Sequence, residues 1–276
     1  MARGLHLECV IGRTMLAAAA NSIVRLLLEP SCAVCQTGLQ HPLTSPVCRA
    51  CWGTVRCVSP PWCVRCGDAL PQWRAIDPEC PRCRRRPPRF TLARSAGRYD
   101  GALREIIHVF KYERRRLLAE PLARMMRQAG GDILAGADAV VPVPLHPFRS
   151  LQRGFNQADD LARHLGLPVW RALRRARHGP PQASLPAARR HANLKAAFSV
   201  NVFWAARPRL RHSPLRNKVV VLVDDVMTTG ATLDACSRVL LAAGVRSVRA
   251  LTAARAVAER PPPQQQPPPP FDPRHR

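Results

Sequence analysis

Lysine is almost missing from this 276-residue chain. Lys111, Lys195 and Lys218 are the only three among 43 basic residues, so 40 are arginine. Acids are also scarce: Asp plus Glu is 18, which leaves a formal charge of +25. That imbalance suits phosphate-rich partners such as nucleic acid, nucleotides or anionic headgroups. Richness in Arg, Ala and Pro is equally what a GC-rich genome encodes, so the charge alone names no partner. Aromatic residues are 5% of the chain. Long apolar runs are missing too. No stretch approaches the roughly 18–20 uninterrupted apolar residues a bilayer-spanning helix needs, so no membrane span is expected. Near the N-terminus, Asn21, Ser22 and Arg25 interrupt the apolar stretch, and no small-x-small cleavage site follows it cleanly. A cytoplasmic location is therefore expected. Hydrophobic residues still make up 46%, enough to build a core for one large domain or two modest ones.

Cysteine is present in excess, with eleven residues. Eight fall in four C-x-x-C pairs: Cys32/Cys35, Cys48/Cys51, Cys63/Cys66 and Cys80/Cys83. Twelve residues separate Cys35 from Cys48, and thirteen separate Cys66 from Cys80. This is tetrahedral zinc spacing, each pair giving two thiolates from one tight turn. Gly67, directly after Cys66, suits a turn that needs positive φ. A disulfide framework would need an oxidising compartment and would leave Cys9, Cys57 and Cys236 over. Two structural zinc ions are expected, with sequential pairing preferred and a cross-braced arrangement left open. His41 and Cys57 lie near enough in sequence to substitute as ligands. A segment so short and poor in apolar periodicity gains its stability from metal, at roughly 10–16 kcal/mol per site.

Composition divides the chain into four parts. Residues 1–30 are a helical lead-in, residues 31–88 a double zinc ribbon, residues 95–257 an α/β domain, and residues 258–276 a Pro/Gln-rich disordered tail. The ribbon ends in Arg84-Arg85-Arg86-Pro87-Pro88, read as a stiff basic linker. Asp100 is placed to cap a helix carrying Leu103, Ile106, Ile107 and Phe110 on one face. Residues 139–144 read as a strand ending at prolines, 155–165 as a helix and 218–223 as a strand buried on both faces. A helix over 231–243 is stopped by Gly244, and 247–252 is a further strand. Strands alternating with helices imply an open, mostly parallel sheet.

The chemically informative stretch is Asp224-Asp225-Val226-Met227-Thr228-Thr229-Gly230-Ala231-Thr232. A buried strand delivers two carboxylates to its C-terminal end, where ligands bind in open α/β sheets. The turn that follows offers backbone N–H groups, threonine hydroxyls and a helix N-terminus, which together make a phosphate cradle. Two carboxylates beside such a cradle suit a sugar phosphate with neutral hydroxyls and a Mg²⁺ ion.

These residues resemble the phosphoribosyl diphosphate (PRPP) motif of type I phosphoribosyltransferases. The ordered set of Cys pairs, Tyr99-Asp100-Gly101, Lys111-Tyr112, Pro142-Val143-Pro144-Leu145, Arg153-Gly154-Phe155-Asn156-Gln157 and the Asp-Asp loop resembles the ComF family, over about residues 20–255. The resemblance implies a type I phosphoribosyltransferase domain behind the zinc ribbon, with residues 224–232 holding PRPP and Mg²⁺. Arg149 and Arg153, after the strand at 139–144, and Arg177 and Arg190, in a segment like the family's mobile loop, become candidate diphosphate ligands. Thr228 stands where relatives acting on 6-oxopurines carry an acid, which disfavours that substrate class. The acceptor, and whether PRPP is turned over, stay open. The family's association with transformation adds single-stranded DNA and DNA-uptake proteins as partners. Trp52, Trp62, Trp73 and Phe90 would be the stacking platforms of a zinc-ribbon DNA adaptor. A PRPP-sensing regulator without turnover is the further alternative.

Overall fold

In the computed structural model the described residues are 20–24, 26–72, 78–145, 151, 153–175, 197–201, 204 and 213–256. The expected disordered tail, the mobile-loop segment and most of the N-terminal lead-in lie outside them. After α1 (Arg49–Gly53) and α2 (Pro81–Arg85) come β1 (Leu92–Arg98), α3 (Gly101–Tyr112), α4 (Ala119–Ala129), α5 (Gly131–Leu134) and β2 (Ala139–Pro142). Then follow α6 (Gln157–Arg163), β3 (Leu173–Arg175), β4 (Phe198–Val200), β5 (Val219–Met227), α7 (Ala231–Ala242) and β6 (Ser247–Arg255).

The main sheet has the order β1-β6-β5-β2 and every pairing in it is parallel. Parallel strands need helical crossovers, which cover both faces and force an apolar sequence onto the central strands. Val219 through Val223 are accordingly all buried. Alternation then splits the strand between two cores. Val221 and Val223 join Leu103, Ile107 and Phe110 of α3 on one face. Val220 and Leu222 join Leu233, Cys236 and Leu240 of α7 on the other. The entry to β5 is fixed by Asp138, which accepts from the Val219 N–H at 2.9 Å and from Lys218 Nζ at 2.8 Å. A separate antiparallel pair, β3 with β4, sits beside α7.

Several expectations change locally. Asp100 is the N-cap of α3 yet makes no side-chain capping bond. Its carboxylate instead accepts from Arg56 Nε at 3.0 Å and Arg98 Nε at 2.9 Å, because charge-assisted bonds are the stronger offer. Asn156 does cap α6, accepting from the Ala158 N–H at 3.1 Å. Arg84 and Arg85 form the end of α2 rather than an extended linker. Strand β1 is an addition, since Leu-Ala-Arg-Ser-Ala-Gly-Arg carries little β signal.

Candidate functional site

Strand β5 runs two residues past the acid pair. Val226 and Met227 stay in register with Ala254 and Arg255 of β6. Met227 is buried and Val226 half-buried, so any contact from these two candidates to a ligand comes through the backbone. Thr228 and Thr229 are exposed and Thr232 is half-buried, at the start of α7. Gly230 is the N-cap of α7 with φ 77°, a conformation that costs an L side chain about 1–2 kcal/mol. Ala231 N–H donates to Thr229 Oγ1 at 3.4 Å, and Asp234 N–H donates to the Gly230 carbonyl at 2.9 Å.

The two carboxylates differ. Asp225 is buried and pairs with Lys111 Nζ at 2.8 Å. Asp224 is half-buried and its Oδ1 accepts from the Asp225 N–H at 2.9 Å. Burial, and then the Asp225 charge, push the Asp224 carboxyl up to about 7, against the opposing pull of that N–H, Lys111 and Arg175. Two neighbouring acids, with one cation committed to the second, can accept ribose hydroxyls and balance a divalent cation.

Of the candidate diphosphate arginines, only Arg153 is described. It is buried, donates to Gln157 Oε1 at 3.1 Å and to Tyr112 Oη at 3.1 Å, and lies over the Tyr112 ring at 4.9 Å. Its partner Tyr112 directly follows Lys111, which pairs with Asp225. Arg149, Arg177 and Arg190 lie outside the described residues. Lys111 belongs to a sequence landmark but not to the expected site residues, and composition held the clue. In a chain where 40 of 43 basic positions are Arg, Lys111 and Lys218 each bind a single carboxylate.

Both Cys clusters assemble sequentially. Cys32, Cys35, Cys48 and Cys51 form one, and Cys63, Cys66, Cys80 and Cys83 the other, with sulfurs within 4.8 Å of one another. Tetrahedral bonds of about 2.3 Å to one metal place sulfurs about 3.8 Å apart. The Cys32–Cys51, Cys35–Cys48 and Cys66–Cys80 sulfur distances are 3.9, 3.6 and 3.7 Å. The residues fit one tetrahedral ion in each cluster. Backbone N–H groups of Cys48 and Cys80 aim at the Cys32 and Cys63 sulfurs, both at 3.3 Å, which favours thiolates. Positive φ follows the second Cys of both knuckles, at Gln36 (62°) and Gly67 (67°). At Gly67 a Cβ would stand 2.6 Å from the Ala93 carbonyl, so glycine is also what lets the knuckle reach β1. His41 and Cys57 join neither cluster among the described residues.

The expected stacking platforms do not survive as a set. Phe90 is 1% exposed and packs in the core beside the second cluster. Trp52 packs against the first core, and Trp62 is covered by Arg94 at 5.0 Å. Trp73 lies outside the described residues.

A parallel sheet ending in paired acids, a Thr-Thr-Gly turn and a helix N-terminus defines a phosphoribosyltransferase-type domain. The family described as "Phosphoribosyl transferase domain" matches residues 123–267. Competence protein F of Haemophilus influenzae is 33% identical over 235 residues, covering 82% of this chain and 96% of that one. DNA utilization protein YhgH of Escherichia coli K12 is 33% identical over 199 residues, covering 68% and 81%. Among solved structures, the allosteric regulatory enzyme of purine biosynthesis aligns at 22% identity and TM-score 0.32, over 49% of this chain. The chain spans about 25% of that enzyme's length. The chain belongs to the ComF family and carries a phosphoribosyl transferase domain.

Proposed function

We propose that the protein binds PRPP with Mg²⁺ between the end of β5 and the start of α7. Asp224 and Asp225 accept the ribose hydroxyls, and the backbone and hydroxyls of residues 228–232 hold the 5′-phosphate. Arg149, Arg153, Arg177 and Arg190 are the candidates to meet the diphosphate. When bound, Mg²⁺ supplies charge neutralisation to the diphosphate. Lys111 offsets one of the two acids, so the site holds a sugar phosphate without excess negative charge. If the ribosyl group is transferred, the arginines stabilise the departing diphosphate. The carrying observation is the acid pair near the end of β5, Asp225 buried and Asp224 half-buried, with four residues between Asp225 and a left-handed glycine N-cap.

The two four-cysteine clusters hold zinc, the metal whose bond length and all-thiolate tetrahedron match their spacing. Reduced thiolates of this kind favour the cytoplasm. The relatives' names, competence and DNA utilization, support a role in handling incoming DNA. Calorimetry with PRPP and Mg²⁺ tests the reading: wild type should release heat, and an Asp224→Asn, Asp225→Asn double variant should not. Equal heat from both proteins would remove the acid pair from the site.

A further inference from the structure

The phosphate turn has a second side. A cavity of about 310 Å³ lies between α2 and α7, against the second Cys cluster. Thr229, Gly230 and Ala231 of the turn line it, whereas Asp224, Asp225, Thr228 and Thr232 do not. It is therefore distinct from the acid-pair side, where PRPP is placed.

The lining has two chemical parts. Arg82, Arg86 and Arg238 line it together with one acid, Asp234, and with Cys66 and Cys83 of the second cluster. That carboxylate already accepts the Arg89 N–H at 2.6 Å. Three arginines suit a phosphomonoester through directed guanidinium contacts rather than net charge, because the cluster thiolates offset part of theirs. Pro87 and Pro88 supply an apolar wall, and the lining also includes the buried Phe90 and Ala235. Such a wall beside guanidinium planes accepts a flat ring. The volume sits at the lower end of the roughly 300–1,000 Å³ of small-molecule sites, room for one nucleotide unit.

We propose that this cavity is a second ligand site, for a nucleoside monophosphate. Its phosphate meets Arg82, Arg86 and Arg238, and its base lies on the Pro87 and Pro88 wall. Arg82 Nη1 also donates to the Thr229 carbonyl at 2.9 Å. A ligand that engages Arg82 thereby acts on the turn that holds the 5′-phosphate. Mononucleotide and PRPP then change each other's affinity by the same factor.

The test titrates AMP, GMP, CMP, UMP and inorganic phosphate separately into the full chain purified with its metals, without PRPP. At least one mononucleotide should bind more tightly than phosphate. An Arg86→Ala, Arg238→Ala double variant should lose about 100-fold in that affinity, about tenfold for each charged contact. The same mononucleotide should still bind the Asp224→Asn, Asp225→Asn variant. Binding by none of the four, binding unchanged in the arginine variant, or binding lost in the acid variant would each overturn the proposal. Should the arginine variant misfold by circular dichroism, hydrogen exchange on wild type decides. Protection over 82–90 and 234–238 supports the site, and protection confined to 224–232 refutes it. The titration is read without PRPP, so failure of the PRPP reading leaves it interpretable.

Discussion

In the first Cys knuckle Cys35 is exposed and Cys48 half-buried, whereas all four cysteines of the second are buried. The first lies in the core beneath α3, and the second in the core beneath α7. Arg255, 1% exposed, ties the second knuckle to the end of β5. Its guanidinium donates to the Cys66 carbonyl at 2.7 Å and to Asp68 Oδ1 at 2.9 Å, and touches Met227 Sδ at 3.1 Å. Arg82 adds its bond to the Thr229 carbonyl. Two knuckles of one plan thus have different duties. One braces the fold at a distance, and the other is built into the wall of the ligand turn.

The strongest way to break this contrast is to remove one ligand from each knuckle. Cys83→Ser should destabilise the fold and also abolish PRPP binding, because Arg82 and Arg255 bond the second knuckle to the ligand turn and to the end of β5. Cys35→Ser should lower the melting temperature and leave PRPP affinity within about threefold, as expected of a distant site. Circular dichroism and calorimetry read both. Equal effects on PRPP affinity would end the distinction.

Arg255→Met comes next. It orphans the Cys66 carbonyl and should cost about 3 kcal/mol in urea unfolding, the usual contribution of a charge-assisted bond in a buried setting. A change under about 0.5 kcal/mol, the scatter of plain surface substitutions, would show that the link is idle.

The turn residues sharpen the comparison further. Gly67→Ala meets both a left-handed φ and the Ala93 carbonyl, and should cost about 3 kcal/mol. Gln36→Gly, at the equivalent place in the first knuckle, should gain about 0.5 kcal/mol by relieving the same φ. Denaturant midpoints measure both.

How much of this is legible in the sequence follows from where the information resides. Metal spacing and the acid-turn-helix run are local in sequence, so the clusters and the β5–α7 site can be read directly. The Lys111–Asp225 pair and the Arg255–Cys66 tie join groups separated by 114 and 189 positions, and no local pattern signals them. Arg255 is also hidden among forty arginines. Arg116, one of three consecutive arginines, is committed to both oxygens of Asp160, at 2.6 and 2.7 Å. Phe90 reads as a surface residue because the segment around it is polar, while its ring packs under the second knuckle.

A further effect is on pH dependence. The Asp224 carboxyl is raised from its ordinary range to about 7, so the native state binds more protons than the unfolded chain between about pH 4 and 7. Its contribution to stability is full below about pH 4 and is lost as pH rises through 7. Asp224→Asn should flatten that part of the stability-versus-pH curve, measured by thermal melts. An unchanged slope would assign it to other groups.

Hydrogen exchange with PRPP and Mg²⁺ bears most directly on the ligand site. Amides over 224–232 should slow on ligand addition in wild type and stay unchanged in the Asp224→Asn, Asp225→Asn variant. Protection elsewhere alone, or equal protection in both proteins, would contradict the placement of PRPP at the end of β5.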